Sequence, residues 1–136
     1  MSYSLEFSHR HVFQSASHIR IPVTLLSTSS LWTDVVAAVD TASTFCVFDR
    51  TYGEVLGLDI ESGIRQRIGT ATGSFYAYGH ELALVVFDLE WQAVVYFAES
   101  AEFAINVVGR VRFLDRLKIG LVDYEQLLLL GLYNES

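Results

Sequence analysis

The sequence predicts a mostly β fold with one or two short helices, and three observations carry that reading. Apolar and β-branched residues recur in runs of about four to eight, the length of strands rather than of helices. Glycine and small polar residues punctuate those runs at turn-like intervals. Helical spacing is confined to two short stretches, near residues 49–56 and 110–118.

Tyr3, Leu5 and Phe7 alternate with polar neighbours and predict a short first strand. Residues 8–18 are polar and aperiodic, which reads as a connector. Ile19, Ile21, Val23 and Leu25 alternate again, with the only proline, Pro22, inside the run. A proline has no N–H to give to a ladder, so this strand belongs at an edge or a bulge. Ser27 to Ser30 make a turn. The run Val35 to Val39 then predicts a buried strand that delivers one carboxylate, Asp40, into the small-residue loop Thr41-Ala42-Ser43. A carboxylate at the end of an apolar strand must find hydrogen-bond donors. Thr41, Ser43 and the turn's own N–H groups are within reach, and an Asx-type turn with no chemistry at all satisfies the same residues.

Beyond that loop, Thr44 to Phe48 read as a strand, and Asp49 as the cap of a helix running to Leu56 and stopped by Gly57. Tyr52, Val55 and Leu56 form its apolar face. Residues 64–80 predict a polar hairpin with its tip near Thr72-Gly73, its glycines at 69, 73 and 79 permitting turns with positive φ. Phe75, Tyr76 and Tyr78 are the residues to pack beneath it. Leu82 to Leu89 and Trp91 to Phe97 form a second strand pair, and Phe103 to Gly109 a further strand. Val111, Leu114 and Leu117, with Phe113 beside them, predict a short amphipathic helix over 110–118. Strands over 119–124 and 127–133 close the chain. With no linker or repeat, residues 1–136 read as one domain.

Composition narrows the function classes. A chain of 136 residues that is 51% hydrophobic can bury a sizeable core. No apolar run reaches the roughly eighteen residues a membrane span needs, and the stretch around Glu6, His9, Arg10 and His11 has no apolar core of a secretion signal. The single cysteine, Cys46, rules out an internal disulfide framework and makes a reducing, cytoplasmic setting the expectation. Cys46 itself reads as a small core residue. The net charge of −7, with nine scattered Lys and Arg, argues against a nucleic-acid partner. His9 and His11 stand at i, i+2 without a third ligand, so no metal is expected. The segment 69–73 lacks the Lys-Ser/Thr ending of a phosphate-binding loop.

Taken together, the strand into Asp40-Thr41-Ala42-Ser43, the glycine-bearing hairpin about thirty residues later, and Val107-Val108-Gly109 resemble the retropepsin-like aspartic proteases. The segment Gly109-Arg110 through Phe113-Leu114-Asp115-Arg116 to Gly120-Leu121 is similar to that of small cellular members, and the resemblance spans residues 19–132. It implies a closed β-barrel that is half of an enzyme, completed as a homodimer. It implies an aspartic endopeptidase acting on a peptide or protein substrate without cofactor, with Asp40 of each chain as the catalytic acid. Thr41 then matches the hydroxyl that crosses the twofold axis, and Ser43 the hydroxyl that orients the carboxylate. Thr72, Gly73 and Ser74 match the tip of the flap that, with Ala42, contacts substrate. Val107 to Gly109 match the segment packed behind the catalytic loop, and the first and last strands match the intersubunit sheet, where Leu127 to Leu130 would be buried. One departure stands out. Ala42 occupies the position of a family glycine, which also allows a weakly active or inactive peptide-binding module that keeps the fold.

Overall fold

A computed structural model describes residues 1–135, in which strands are the dominant regular structure. The strands are β1 (His9–Val12), β2 (Arg20–Leu26), β3 (Trp32–Val39), β4 (Val47–Phe48), β5 (Ile64–Thr70), β6 (Gly73–Val86), β7 (Leu89–Ala98), β8 (Val107–Val108), β9 (Leu117–Val122) and β10 (Leu127–Leu132). The only α-helix among the described residues is α1 (Arg50–Val55). A large sheet runs β2-β3-β8-β4-β7-β6-β5, and β2 carries a second pairing to β6. A smaller sheet runs β1-β10-β9.

Alternation explains most of the large sheet. Ile21, Val23 and Leu25 of β2 and Val35 and Ala37 of β3 point into one core, where they meet Leu82 and Leu84 of β6, Val95 and Phe97 of β7, Phe48 and Phe113. Each of these side chains is nearly or wholly buried, and together they supply the apolar burial that drives folding. Pro22 lies outside the three residues, Thr24 to Leu26, through which β2 pairs with β6. There β2 has β3 on one side only, so the missing N–H disrupts no second ladder.

The helix forms as its signals require. Asp49 accepts from the Thr51 N–H at 3.0 Å, and Gly57 follows with φ +73°. Gly53 is where the helix touches the core: a Cβ there would stand 2.4 Å from Ile60 Cδ1. Leu56 is buried, whereas Val55 is exposed and does not belong to the apolar face.

Several expectations need correction: of Thr44 to Phe48 only Val47–Phe48 is strand, and the second hairpin arm and the run from Leu82 form one continuous strand, β6. Residues 3–7 form no strand, and Tyr3 and Leu5 are exposed; the first strand is β1, inside the stretch read as a connector. Its half-buried positions are His9 and His11, which pack on Phe87, while Val12 faces solvent, so the strand's inward face is written in imidazoles rather than hydrocarbon. Residues 103–106 are irregular, leaving β8 only two residues long. No α-helix forms over 110–118. Arg112 takes φ +75°, its N–H is held by Asp115 Oδ1 at 2.9 Å, and its carbonyl accepts from Trp91 Nε1 at 2.6 Å, so the chain makes one 3-10 turn at Leu114–Arg116 and enters β9. Finally, Gly69, Gly73 and Gly79 do not use positive φ; Gly79 instead permits close approach, since a Cβ there would meet Tyr96 Cε1 at 2.8 Å.

In the small sheet, β10 is flanked by β1 on one side and β9 on the other, within one chain. Leu128 and Leu130 are buried in the chain's own core, which accounts for half of the leucine run without any partner. Phe7 lies over the other face, near Gly120 and Leu129. No helix of the described residues is long and apolar enough to cross a membrane.

Candidate active site

Asp40 follows directly on β3, where parallel pairing with β8 fixes its backbone. Ala38 N–H donates to Asn106 O at 2.9 Å and Asp40 N–H to Val108 O at 3.0 Å. Past the strand end, Asp40 Oδ1 accepts from the Ala42 N–H at 2.9 Å, and Ser43 N–H donates to Asp40 O at 3.2 Å. The loop is therefore an Asx-type turn that fixes the carboxylate through one oxygen. The second oxygen, Oδ2, has no hydrogen-bond partner among the described residues.

The loop is braced from behind. Arg110 N–H donates to Ser43 O and Val111 N–H to Thr44 O, both at 2.8 Å. Gly109 lies so close to the loop that a Cβ there would stand 2.5 Å from Ser43 O and 2.6 Å from Phe45 O. The supporting role expected of Val107 to Gly109 is the one they fill. Asn106 adds a tie the sequence did not disclose: its side-chain Oδ1 accepts from Asp49 N–H at 3.0 Å, joining the segment before β8 to the cap of α1. Cys46 is buried beneath the loop, and burial pushes its thiol up to about 11, so it stays protonated and inert at neutral pH.

Asp40 opens onto a cleft of about 710 Å³. One wall is the segment Ser17 to Arg20, the floor is the outward face of β3 at Val36 and Ala38 with Val39 at the strand end, and the far wall is Ala104 to Val107. Neither wall was picked out from the sequence. The far wall had a signal in its adjacency to the Val107-Val108-Gly109 segment; Ser17 to Arg20 had none, because nothing in their composition marks a loop that returns beside β3.

Of the expected site residues only Asp40 lines this cleft; the others lie outside it. Thr41 and Ala42 are exposed at the turn, and Ala42 does not occupy the left-handed region that would call for glycine. Ser43 Oγ donates to Phe45 O at 2.9 Å and does not meet the Asp40 carboxylate, so within one chain it fastens the loop rather than orienting the acid. Thr72, Gly73 and Ser74 sit at the exposed tip of the β5–β6 hairpin, whose two-residue turn is Ala71-Thr72, and do not line the cleft. Arg67 Nε donates to Ser74 Oγ across the hairpin at 2.8 Å. Below the tip, Ile68 and Phe75 are buried with Val47, Ala77 and Ala98, and Ile105 and Val107 pack against the same cluster. The hairpin is thus rooted in the residues that form the cleft's far wall. Tyr78 is buried as expected, but Tyr76 is exposed under the Arg65 guanidinium, 3.6 Å from its ring centroid.

No protein-family model matches the sequence, and neither does any curated protein. Among solved structures, the crystal structure of a retropepsin-like aspartic protease from Rickettsia conorii is similar, with a TM-score of 0.66 and 18% sequence identity. The match covers 89% of this chain and 96% of that one, so it extends over nearly the whole of both. At that identity the likeness is one of architecture, and it agrees with the strand-end aspartate, the hairpin and the braced loop: this chain has a retropepsin-like fold.

Proposed function

We propose that the protein is an aspartic endopeptidase, assembled as a homodimer of two barrel-like halves, in which Asp40 of each chain forms a carboxylate dyad at the twofold axis. The observation that carries this reading is the placement of Asp40: at a strand end, held by a backbone N–H through one oxygen only, and open to a cleft of about 710 Å³. Two carboxylates brought together at such a site share one proton, because like charges in contact do not both ionise easily. The ionised member takes a proton from water as the oxygen attacks the peptide carbonyl carbon. The protonated member gives its proton to the carbonyl oxygen. Collapse of the resulting diol breaks the C–N bond as a proton passes to the departing nitrogen. The chemistry calls on no metal and no cofactor. An extended peptide in the cleft would be covered by the β5–β6 hairpin, with Thr72 to Ser74 at its tip, and the single cysteine fits a cytoplasmic setting.

The Asp40→Asn variant tests this. It is expected to keep the wild-type circular dichroism and melting behaviour while losing cleavage of denatured protein substrates; cleavage at the wild-type rate overturns the mechanism. Ala42 favours a second reading, a peptide-binding module with little or no activity, since a methyl group at the family's glycine position stands beside the partner loop. Absence of cleavage across about pH 3 to 7 by an intact dimer, with no effect of an aspartic-protease inhibitor, selects that reading.

A further inference from the structure

The cleft wall carries a charge that the proposed chemistry leaves unused. Arg20 opens β2 and pairs with Ala38, which precedes Asp40 by two residues and so shares its face of β3. The side chain is exposed, and among the described residues no carboxylate lies within salt-bridge distance of it. Beside it stands His18, whose Nδ1 shares a hydrogen bond with Ser17 Oγ at 2.9 Å. Apart from Asp40 itself, Arg20 and His18 are the only ionisable side chains lining the cleft; the rest of the lining is apolar or neutral. In a chain with 16 acidic residues against nine Lys and Arg, a guanidinium with no salt-bridge partner beside the groove's one carboxylate is set apart from its surroundings.

We infer that Arg20, with His18 next to it, makes the cleft select peptides that carry a carboxylate side chain close to the bond to be cut. The inference rests on the endopeptidase reading for the word "cut", but the recognition itself needs only the cleft. A guanidinium presents a planar fork of N–H donors that matches a carboxylate, and Val36, Val39, Ile105 and Val107 offer apolar contact to the aliphatic stem and to neighbouring residues. The chain's net charge of −7 opposes the approach of acidic peptides from a distance, and this local cation offsets that repulsion at the cleft. In the proposed symmetric dimer each half contributes one Arg20, so the preference is expected on both sides of the scissile bond.

The test uses peptides of apolar sequence with a reduced, uncleavable bond at the centre and Glu, Gln or Lys at one position on either side. Their dissociation constants are measured by fluorescence anisotropy against the wild type, Arg20→Gln and Arg20→Glu. Because Arg20 is exposed, all three proteins are expected to melt alike, and a melt of each confirms that they fold. The wild type is expected to bind the Glu peptide about fivefold more tightly than the Gln peptide, the scale of a solvent-exposed ion pair. Arg20→Gln should abolish the difference, and Arg20→Glu should turn it toward Lys. Equal affinity for Glu and Gln, no binding of any peptide, or an undiminished preference in Arg20→Gln overturns the inference. The same peptides with an ordinary amide bond report separately on catalysis: selective binding of the Glu peptide without hydrolysis keeps acid recognition and discards the endopeptidase.

Discussion

Gly109 shows how one absent side chain can decide the geometry of a loop. Its neighbours are the carbonyl oxygens of Ser43 and Phe45, backbone atoms that cannot swing aside as a side-chain tip would. A Gly109→Ala variant must push the Asp40 loop outward and stretch the two N–H···O bonds that brace it. It should cost about 1–3 kcal/mol of stability, the usual range for overpacking, and remove most of whatever activity the loop supports. Chemical denaturation and a peptide-cleavage assay check the two halves of that expectation, and a fully active variant of wild-type stability contradicts it. Much of the site was legible at this scale. Asp40 was found because a lone carboxylate ending a β-branched run is conspicuous, and Gly109 because it closes an apolar run. Arg20 and Asn106 were not, since an arginine at the start of a strand and an asparagine before one look the same whether they face a cleft or bulk water.

The elements differ in how plainly their sequences announce them. β2, β3 and β7 are written in alternating or continuous apolar residues, and α1 carries its own cap and stop, so pattern alone finds them; β6 is one strand where pattern suggests two, because its first half is polar and its second apolar. β1 is invisible to hydrophobicity because its inward residues are His9 and His11. The segment 110–118 misleads in the opposite sense: its apolar spacing is helical, but a tertiary bond from Trp91 and a local one from the Arg112 N–H to Asp115 hold Arg112 in a left-handed conformation that no helix continues through. Between α1 and the base of the hairpin, Arg50 donates to both oxygens of Glu61 and to Glu99 O, while Tyr78 donates to Glu99 Oε2 at 2.7 Å. The hydrogen bond from Arg50 holds the Glu61 carboxyl below its ordinary range. A depressed carboxyl adds stability above its unfolded-state pKa and loses it as pH falls through the folded-state value. Glu61→Gln should therefore melt below the wild type at neutral pH, with the gap closing in acid below the usual carboxylate range. Thermal melts of the two proteins from about pH 7 to 3 measure this, and a gap that persists or widens in acid contradicts it.

At the scale of the whole molecule, the two sheets divide the work. The large sheet supplies most of the core, the cleft and the Asp40 loop, and the small one, β1, β9 and β10, adds Leu117, Leu128 and Leu130 to the same core. Because β10 already has a neighbour along each edge, the last strand is not a dangling ribbon that waits for another molecule to complete it. In the proposed dimer a second copy would add to a body whose small sheet is already formed within one chain. On the proposed reading, reaching the native state is a unimolecular event and activation a separate, second-order one. Serial dilution should leave the melting temperature of the isolated chain nearly constant while specific peptide cleavage falls away with concentration. Cleavage per molecule that stays constant on dilution, alongside sedimentation as a single chain, would mean that one copy suffices.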